Sequence, residues 1–292
     1  MDGPWTHREV TAGGLRIHLA ECGPADGPLV VLLHGFPQFW WTWRHQLPAL
    51  GEAGMHVVAP DLRGYGATDK PPRGYDAYTL TADVAGLIRA LGARDAAVVG
   101  HSVGGSLAWA LGALHPRVVR SVVVVSAPHP VTLLSSMRHP AQARAASHLA
   151  LYQLPRVPET RLTRGRGSHV VDLLARWGGP GYPDEEAAER YRSAITIPGV
   201  VHSAMEYYRW AFRSLTRPSG HQYLASLRAG INAPVLQLHG GADSYLLPAS
   251  VHGSAAYARG GYQLQMLDGV GHFAQEEDPQ AVTEAVLAHA AP

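Results

Sequence analysis

The chain is 292 residues long, with 46% hydrophobic residues and a formal net charge of +1 at pH 7. That length is short for two large domains and suits one core domain carrying an insertion, while the near-neutral charge gives no footprint for nucleic acid or an anionic membrane as partner. Cys22 is the sole cysteine, which excludes an internal disulfide framework and a Cys-based zinc site and suits a reducing compartment.

The N-terminal stretch Met1-Asp2-Gly3-Pro4-Trp5 has neither a basic region nor an apolar core, so no secretory signal is read there. Apolar runs are strand-length, far below the ~20 residues that span a bilayer, and a soluble, cytoplasmic protein is expected. Val10-Thr11 and Leu15 to Ala20, joined by Gly13-Gly14, predict an opening hairpin. Leu29 to Leu33 and Val57 to Ala59 read as central strands buried on both faces. Thr79 is positioned to cap a helix whose apolar residues Leu80, Val84, Leu87, Ile88 and Leu91 recur at helical spacing, with Gly92 as the stop. Ala96 to Val99 is a third central strand and Val118 to Val125 a fourth, with a helix from Leu107 to Leu114 between them. This alternation implies a mostly parallel sheet with helices on both faces.

From Ala127 to about Gln222 the alternation stops, and a helical stretch rich in Arg, aromatics and prolines reads as an inserted cap (127–222) on a core made of 1–126 and 223–292. The sheet resumes at Pro234 to Leu238, followed by a helix around Pro248 to Ala258, a strand at Gln263 to Leu267 and a last helix from about Pro279 to His289.

The junction Gly100-His101-Ser102-Val103-Gly104 carries the chemistry. A G-x-S-x-G turn between a strand and a helix lifts the serine hydroxyl clear of the sheet edge, with glycine needed two residues either side where the backbones crowd. Serine needs an adjacent base, and the base needs a carboxylate to orient it. Asp243 and His272 each follow a sheet strand, where reactive groups gather in open parallel sheets. The order Ser102, Asp243, His272 is therefore read as a catalytic triad. His34-Gly35-Phe36-Pro37 follows a central strand and brings the Phe36 N–H beside that of Val103, a candidate oxyanion hole.

These residues, with Trp40 and Trp43-Arg44, Asp61-Leu62-Arg63-Gly64-Tyr65-Gly66, Gln153-Leu154-Pro155, Tyr207-Tyr208-Arg209-Trp210 and Gly271-His272-Phe273 with Glu277-Asp278-Pro279, resemble the α/β-hydrolase superfamily over the whole chain, in its epoxide hydrolase branch. The resemblance implies the α/β-hydrolase fold and assigns the catalytic roles to Ser102, Asp243 and His272. It departs from the branch at two places. Epoxide hydrolases have aspartate where Ser102 stands, and they use two cap tyrosines to protonate the epoxide oxygen. Tyr208 matches the second tyrosine, whereas His148 falls at the position of the first, with Tyr152 close by.

An aspartate that opens an epoxide forms an ester, which water can cleave. A serine would form an ether, with no carbonyl to attack. The expected activity is therefore hydrolysis of a carboxylic ester or lactone, with a largely apolar small-molecule substrate and no cofactor. The alternatives are an epoxide hydrolase-type enzyme, either with Asp243 and His272 activating water for direct attack while Tyr208 donates to the oxygen or with serine as a substituted nucleophile, and a ligand-binding homologue without turnover. Tyr208, His148, Tyr152 and Trp40 are the candidate substrate contacts. No metal is expected, because the histidines lack ligand spacing such as H-E-x-x-H. His34 is read as ordering the Phe36-Pro37 turn, His101 as structural or substrate-lining, and Glu276, Glu277 and Asp278 as favouring the N-terminus of the last helix. The sequence does not fix an oligomeric state.

Overall fold

The structure, a computed structural model, describes residues 1–290. In chain order the strands are β1 (Thr6–Ala12), β2 (Leu15–Cys22), β3 (Leu29–Leu33), β4 (His56–Pro60), β5 (Ala96–His101), β6 (Val119–Val125), β7 (Val235–Gly240) and β8 (Tyr262–Leu267). They form one eight-stranded sheet in the order β1-β2-β4-β3-β5-β6-β7-β8. β1, β2 and β4 pair antiparallel, and every other pairing is parallel. Every residue of β3, β4, β5 and β7 is buried, so helices cover both faces of the sheet. Each Val or Leu buried there stabilises the fold by ~1.5–3 kcal/mol before chain entropy is counted. Among the described residues no helix is long and apolar enough to cross a membrane.

Between β6 and β7 the chain leaves the sheet and runs through the helices Pro130–Ser136, Pro140–Ala145, His148–Leu151, Val157–Trp177, Glu185–Ile195, Val200–Ser214 and Pro218–Arg228. This insert is the source of several aromatic residues of the site described below. Its last helix continues past residue 222. The stretch Val157–Trp177 is broken where residues 164–167 take non-helical backbone angles.

Three local expectations are corrected. The helix after β3 and β4 starts at Ala77, and its cap is Asp76, which accepts the Thr79 N–H at 2.9 Å and the Thr79 hydroxyl at 2.8 Å; Thr79 is the partner of the cap. Instead of a helix over 248–258 there are two short 3-10 turns, Pro248–Val251 and Ser254–Tyr257, separated by Gly253 at φ +99°, which breaks helical continuity.

The third concerns the acidic run before the last helix. Asp278 behaves as expected, accepting the Ala281 N–H at 3.1 Å. Glu276 is buried instead, and its carboxylate accepts hydrogen bonds from Arg44 (2.6 Å), Thr42 (2.8 Å) and Gln38 of the segment after β3, and from Tyr182 (3.1 Å) and Tyr191 (2.5 Å) of the insert. Burial pushes this carboxyl above its usual range, while Arg44 and the surrounding donors pull it back. Glu277 binds the loop that carries His272.

Candidate active site

β5, paired on both sides, delivers Ser102 at its carboxyl end. The serine sits at φ 52°, ψ −111°, directly before the helix Val103–Leu114. Left-handed backbone at a non-glycine residue is strained, and the neighbours enforce it. A Cβ on Gly100 would lie 2.3 Å from the Gly104 carbonyl oxygen, and one on Gly104 would lie 2.3 Å from that of Leu33. Val103 opens its helix, so its N–H has no intrahelical partner. The loop His34-Gly35-Phe36 lies against this turn, since a Cβ on Gly35 would meet the Ser102 Cβ at 2.9 Å.

His34 fixes that loop. Its Nε2 accepts the Leu62 N–H at 3.0 Å, so the ring proton is on Nδ1, which donates to the Gly35 carbonyl at 2.9 Å. Burial lowers its pKa and keeps the ring neutral. With the Gly35 carbonyl held, the Gly35–Phe36 peptide plane is fixed, and with it the Phe36 N–H direction.

Asp243 lies in the turn after β7. Its Oδ1 accepts the N–H groups of Tyr245 (2.9 Å) and Leu246 (2.8 Å), and its Oδ2 faces His272 Nδ1 at 2.7 Å. The imidazole therefore keeps its proton on Nδ1, and Nε2 is the basic nitrogen. That Nε2 is buried and has no hydrogen-bond partner among the described residues; at rest it is not bonded to the Ser102 hydroxyl. Contacts of this kind are often long before substrate arrives. His101 packs its ring 4.9 Å from that of His272 and bonds the His272 carbonyl at 2.9 Å. Burial, followed by the neighbouring His272, holds its pKa well below the usual range and keeps the ring neutral.

Tyr152 and Tyr208 converge over Phe36, with His148 packed against Tyr152. The rings of Tyr152 and Tyr208 lie 5.9 and 5.8 Å from that of Phe36 and 5.2 Å from each other, and His148 lies 5.2 Å from Tyr152. The Tyr152 hydroxyl and His148 Nε2 are buried and lack partners among the described residues. Burial pushes both tyrosines far up, so both remain neutral hydrogen-bond donors. Arg209 explains why Tyr207-Tyr208-Arg209 and Gln153-Leu154 belong together. Its guanidinium donates to the carbonyls of Tyr152 (3.1 Å) and Leu154 (2.9 Å) and pairs with Glu159 and Glu206.

Burial lowers the His148 pKa from 6.5 to about 4. A buried histidine with a depressed pKa binds its proton more weakly in the folded chain than in the unfolded one, so its contribution to stability is present above pH 6.5 and is lost as pH falls toward 4. His148→Gln is expected to flatten that part of the stability profile, measured by urea midpoints between pH 7 and 4.

Sequence reasoning missed two residues. Trp177, at the end of an insert helix, stacks on Tyr245 (4.6 Å, 21°) and lies 6.1 Å from the His272 ring, and its carbonyl accepts the His272 N–H at 2.9 Å. Tyr245 lies 5.0 Å from His272 and 4.8 Å from His148. Tyr245 could have been suspected from its place two residues after Asp243, but nothing local marks Trp177.

Trp40 is placed elsewhere. Its ring packs on Trp5 (5.3 Å), His7 (5.0 Å) and Phe39 (6.0 Å), and it lines a cleft of about 1200 Å³ between the hairpin and the insert helix Glu185–Ile195. None of Ser102, Asp243 and His272 lines that cleft. Its volume is no guide to the chemistry, which requires a base facing a nucleophile.

A family model described as alpha/beta hydrolase fold matches residues 28–279. The chain is similar to AB hydrolase superfamily protein YfhM of Bacillus subtilis, 32% identical over 282 residues that cover 95% of each protein. It is also similar to Epoxide hydrolase A of Mycobacterium tuberculosis, 30% identical over 317 residues that cover 98% of this chain and 97% of that one. Among solved structures, Epoxide Hydrolase A from Mycobacterium thermoresistibile superposes with a TM-score of 0.80 at 29% identity, covering 98% of both chains.

Proposed function

Because the chain belongs to the α/β-hydrolase family, in its epoxide-hydrolase-like branch, we propose that it hydrolyses carboxylic esters or lactones of largely apolar, aromatic character through an acyl-enzyme on Ser102. The observation that carries this reading is the serine itself, in place of a carboxylate, on the strained turn before Val103. The Ser102 Oγ attacks the carbonyl carbon as its proton passes to His272 Nε2. The Phe36 and Val103 N–H groups receive the oxyanion, a contribution worth ~3–4 kcal/mol per donor in comparable sites. The carbon–oxygen bond breaks, and the alcohol leaves with the proton from His272. Water, deprotonated by His272, then attacks the acyl carbon and frees the acid and the serine. Trp177, Tyr245, Tyr152 and Tyr208 form the apolar walls, with the insert acting as a cap.

A second reading, hydrolysis of an epoxide, is favoured by the names of the relatives and by two observations. The Tyr152 and Tyr208 rings meet over Phe36, and His272 Nε2 is bonded to no serine at rest. In that reading His272 activates water for direct attack on the oxirane carbon and a tyrosine protonates the ring oxygen. The purified protein, offered nitrophenyl esters, an aromatic lactone and styrene oxide, separates the two. Sustained ester or lactone turnover without diol supports the acyl-enzyme, and sustained diol formation without ester turnover replaces it with the epoxide reading.

A further inference from the structure

The loop that carries His272 is held at three consecutive amides. The Glu277 carboxylate accepts the Gly271 N–H on Oε2 at 2.7 Å and the Phe273 N–H on Oε1 at 2.9 Å, the two amides that flank the imidazole residue. The amide of His272 itself donates to the Trp177 carbonyl of the insert at 2.9 Å. Glu277 Oε2 also accepts the Gly179 N–H at 2.8 Å, from a residue 98 positions away in the chain. A carboxylate that only favoured a helix start would have no use for that third partner. The insert backbone is pressed against the loop here, since a Cβ on Gly271 would lie 2.3 Å from the Gly179 nitrogen and 2.4 Å from the Gly178 carbonyl carbon. Hydrogen bonds to an ionised acceptor are roughly twice as strong as neutral ones, so one side chain sets the height and tilt of the backbone on both sides of the base.

We propose that Glu277 is a positioning residue for His272: its carboxylate clamps the amides on either side of the imidazole and, through Gly179, makes the insert part of the mount that aims the ring at Asp243 and Ser102. The inference rests on the reading of Ser102, His272 and Asp243 as the reacting set. Misplacement of a catalytic group by about 1 Å costs on the order of 100-fold in rate, so the clamp acts on kcat and leaves substrate binding alone.

The test is Glu277→Gln, whose amide can still accept on one side but turns an N–H toward another N–H. The expected result is a kcat lower by ~10- to 100-fold with KM within about twofold. Fluorophosphonate labelling of Ser102 should slow by the same factor. The low-field proton NMR signal of the His272 Nδ1–H facing Asp243 should broaden or move. A kcat, labelling rate and proton signal all matching the unmodified protein overturn the proposal. If the variant does not fold, amide hydrogen exchange on the unmodified protein decides: Gly179, Gly271 and Phe273 protected together support the clamp, and exchange of any one at the rate of an open loop overturns it. Failure of the serine reading looks different. The unmodified protein would then resist fluorophosphonate, while the proton signal and the amide exchange still report on Glu277.

Discussion

Ser102→Ala is expected to abolish ester turnover and fluorophosphonate labelling together, lowering kcat by roughly four to six orders of magnitude. The substitution removes one oxygen and leaves the scaffold alone. The Cβ that packs near Gly35 remains, and alanine carries the same left-handed backbone cost that serine carries now. A thermal midpoint within a few degrees of the unmodified protein should therefore accompany the loss. Loss of activity with retained stability identifies the hydroxyl as the nucleophile. Turnover persisting within about tenfold would sink the acyl-enzyme and leave His272 acting on water, as in the epoxide reading.

Asp243→Asn is expected to cost about 10,000-fold in kcat, by analogy with the same change in a serine protease triad. The geometry gives the reason. Oδ1 of the asparagine can still accept the Tyr245 and Leu246 N–H groups, which sit at 2.9 and 2.8 Å. That orientation turns the amide nitrogen toward His272 Nδ1, where the carboxylate now sits at 2.7 Å. Two donors cannot face each other, so the imidazole moves its proton to Nε2 and no longer has a lone pair for the serine. The same variant should bind a substrate analogue with little change, because the aromatic walls are untouched. A loss of binding equal to the loss of kcat would show that Asp243 shapes the pocket instead of the base.

The sheet was legible because its strands announce themselves. Leu29–Leu33 and Ala96–Val99 are continuous apolar runs that only a two-sided burial accommodates. The elbow was legible because its glycines stand at fixed spacing about the serine, even though Gly100 answers to the nearby Gly104 carbonyl and Gly104 to the distant one of Leu33. What escaped depends on distant neighbours. Pro248 to Ala258 has helix-like composition, yet the backbone at Gly253 turns left-handed and two short turns result. Glu276 and Glu277 look like charges favouring a helix start. Only the folded chain brings Arg44, Tyr182 and Tyr191 to the first and Gly179 to the second. Trp40 and Trp177 illustrate the same limit in opposite directions. The first carries a family motif and packs on the hairpin, while the second carries none and supports His272.

The buried carboxylate of Glu276 also fastens the insert to the core. Swinging the helix Glu185–Ile195 outward would strip Tyr191 from it, and drawing the neighbouring loop away would strip Tyr182, leaving an anion and Arg44 short of partners in a dry interior. Each hydrogen bond lost to a charged group costs ~1.5–3 kcal/mol, so that flank resists opening. The short helix Pro140–Ala145 is fastened as well: its buried Gln142 donates to the Tyr245 carbonyl at 2.8 Å and accepts the Leu247 N–H at 2.9 Å. The insert is thereby pinned at two separate places, one of them the turn that carries Asp243.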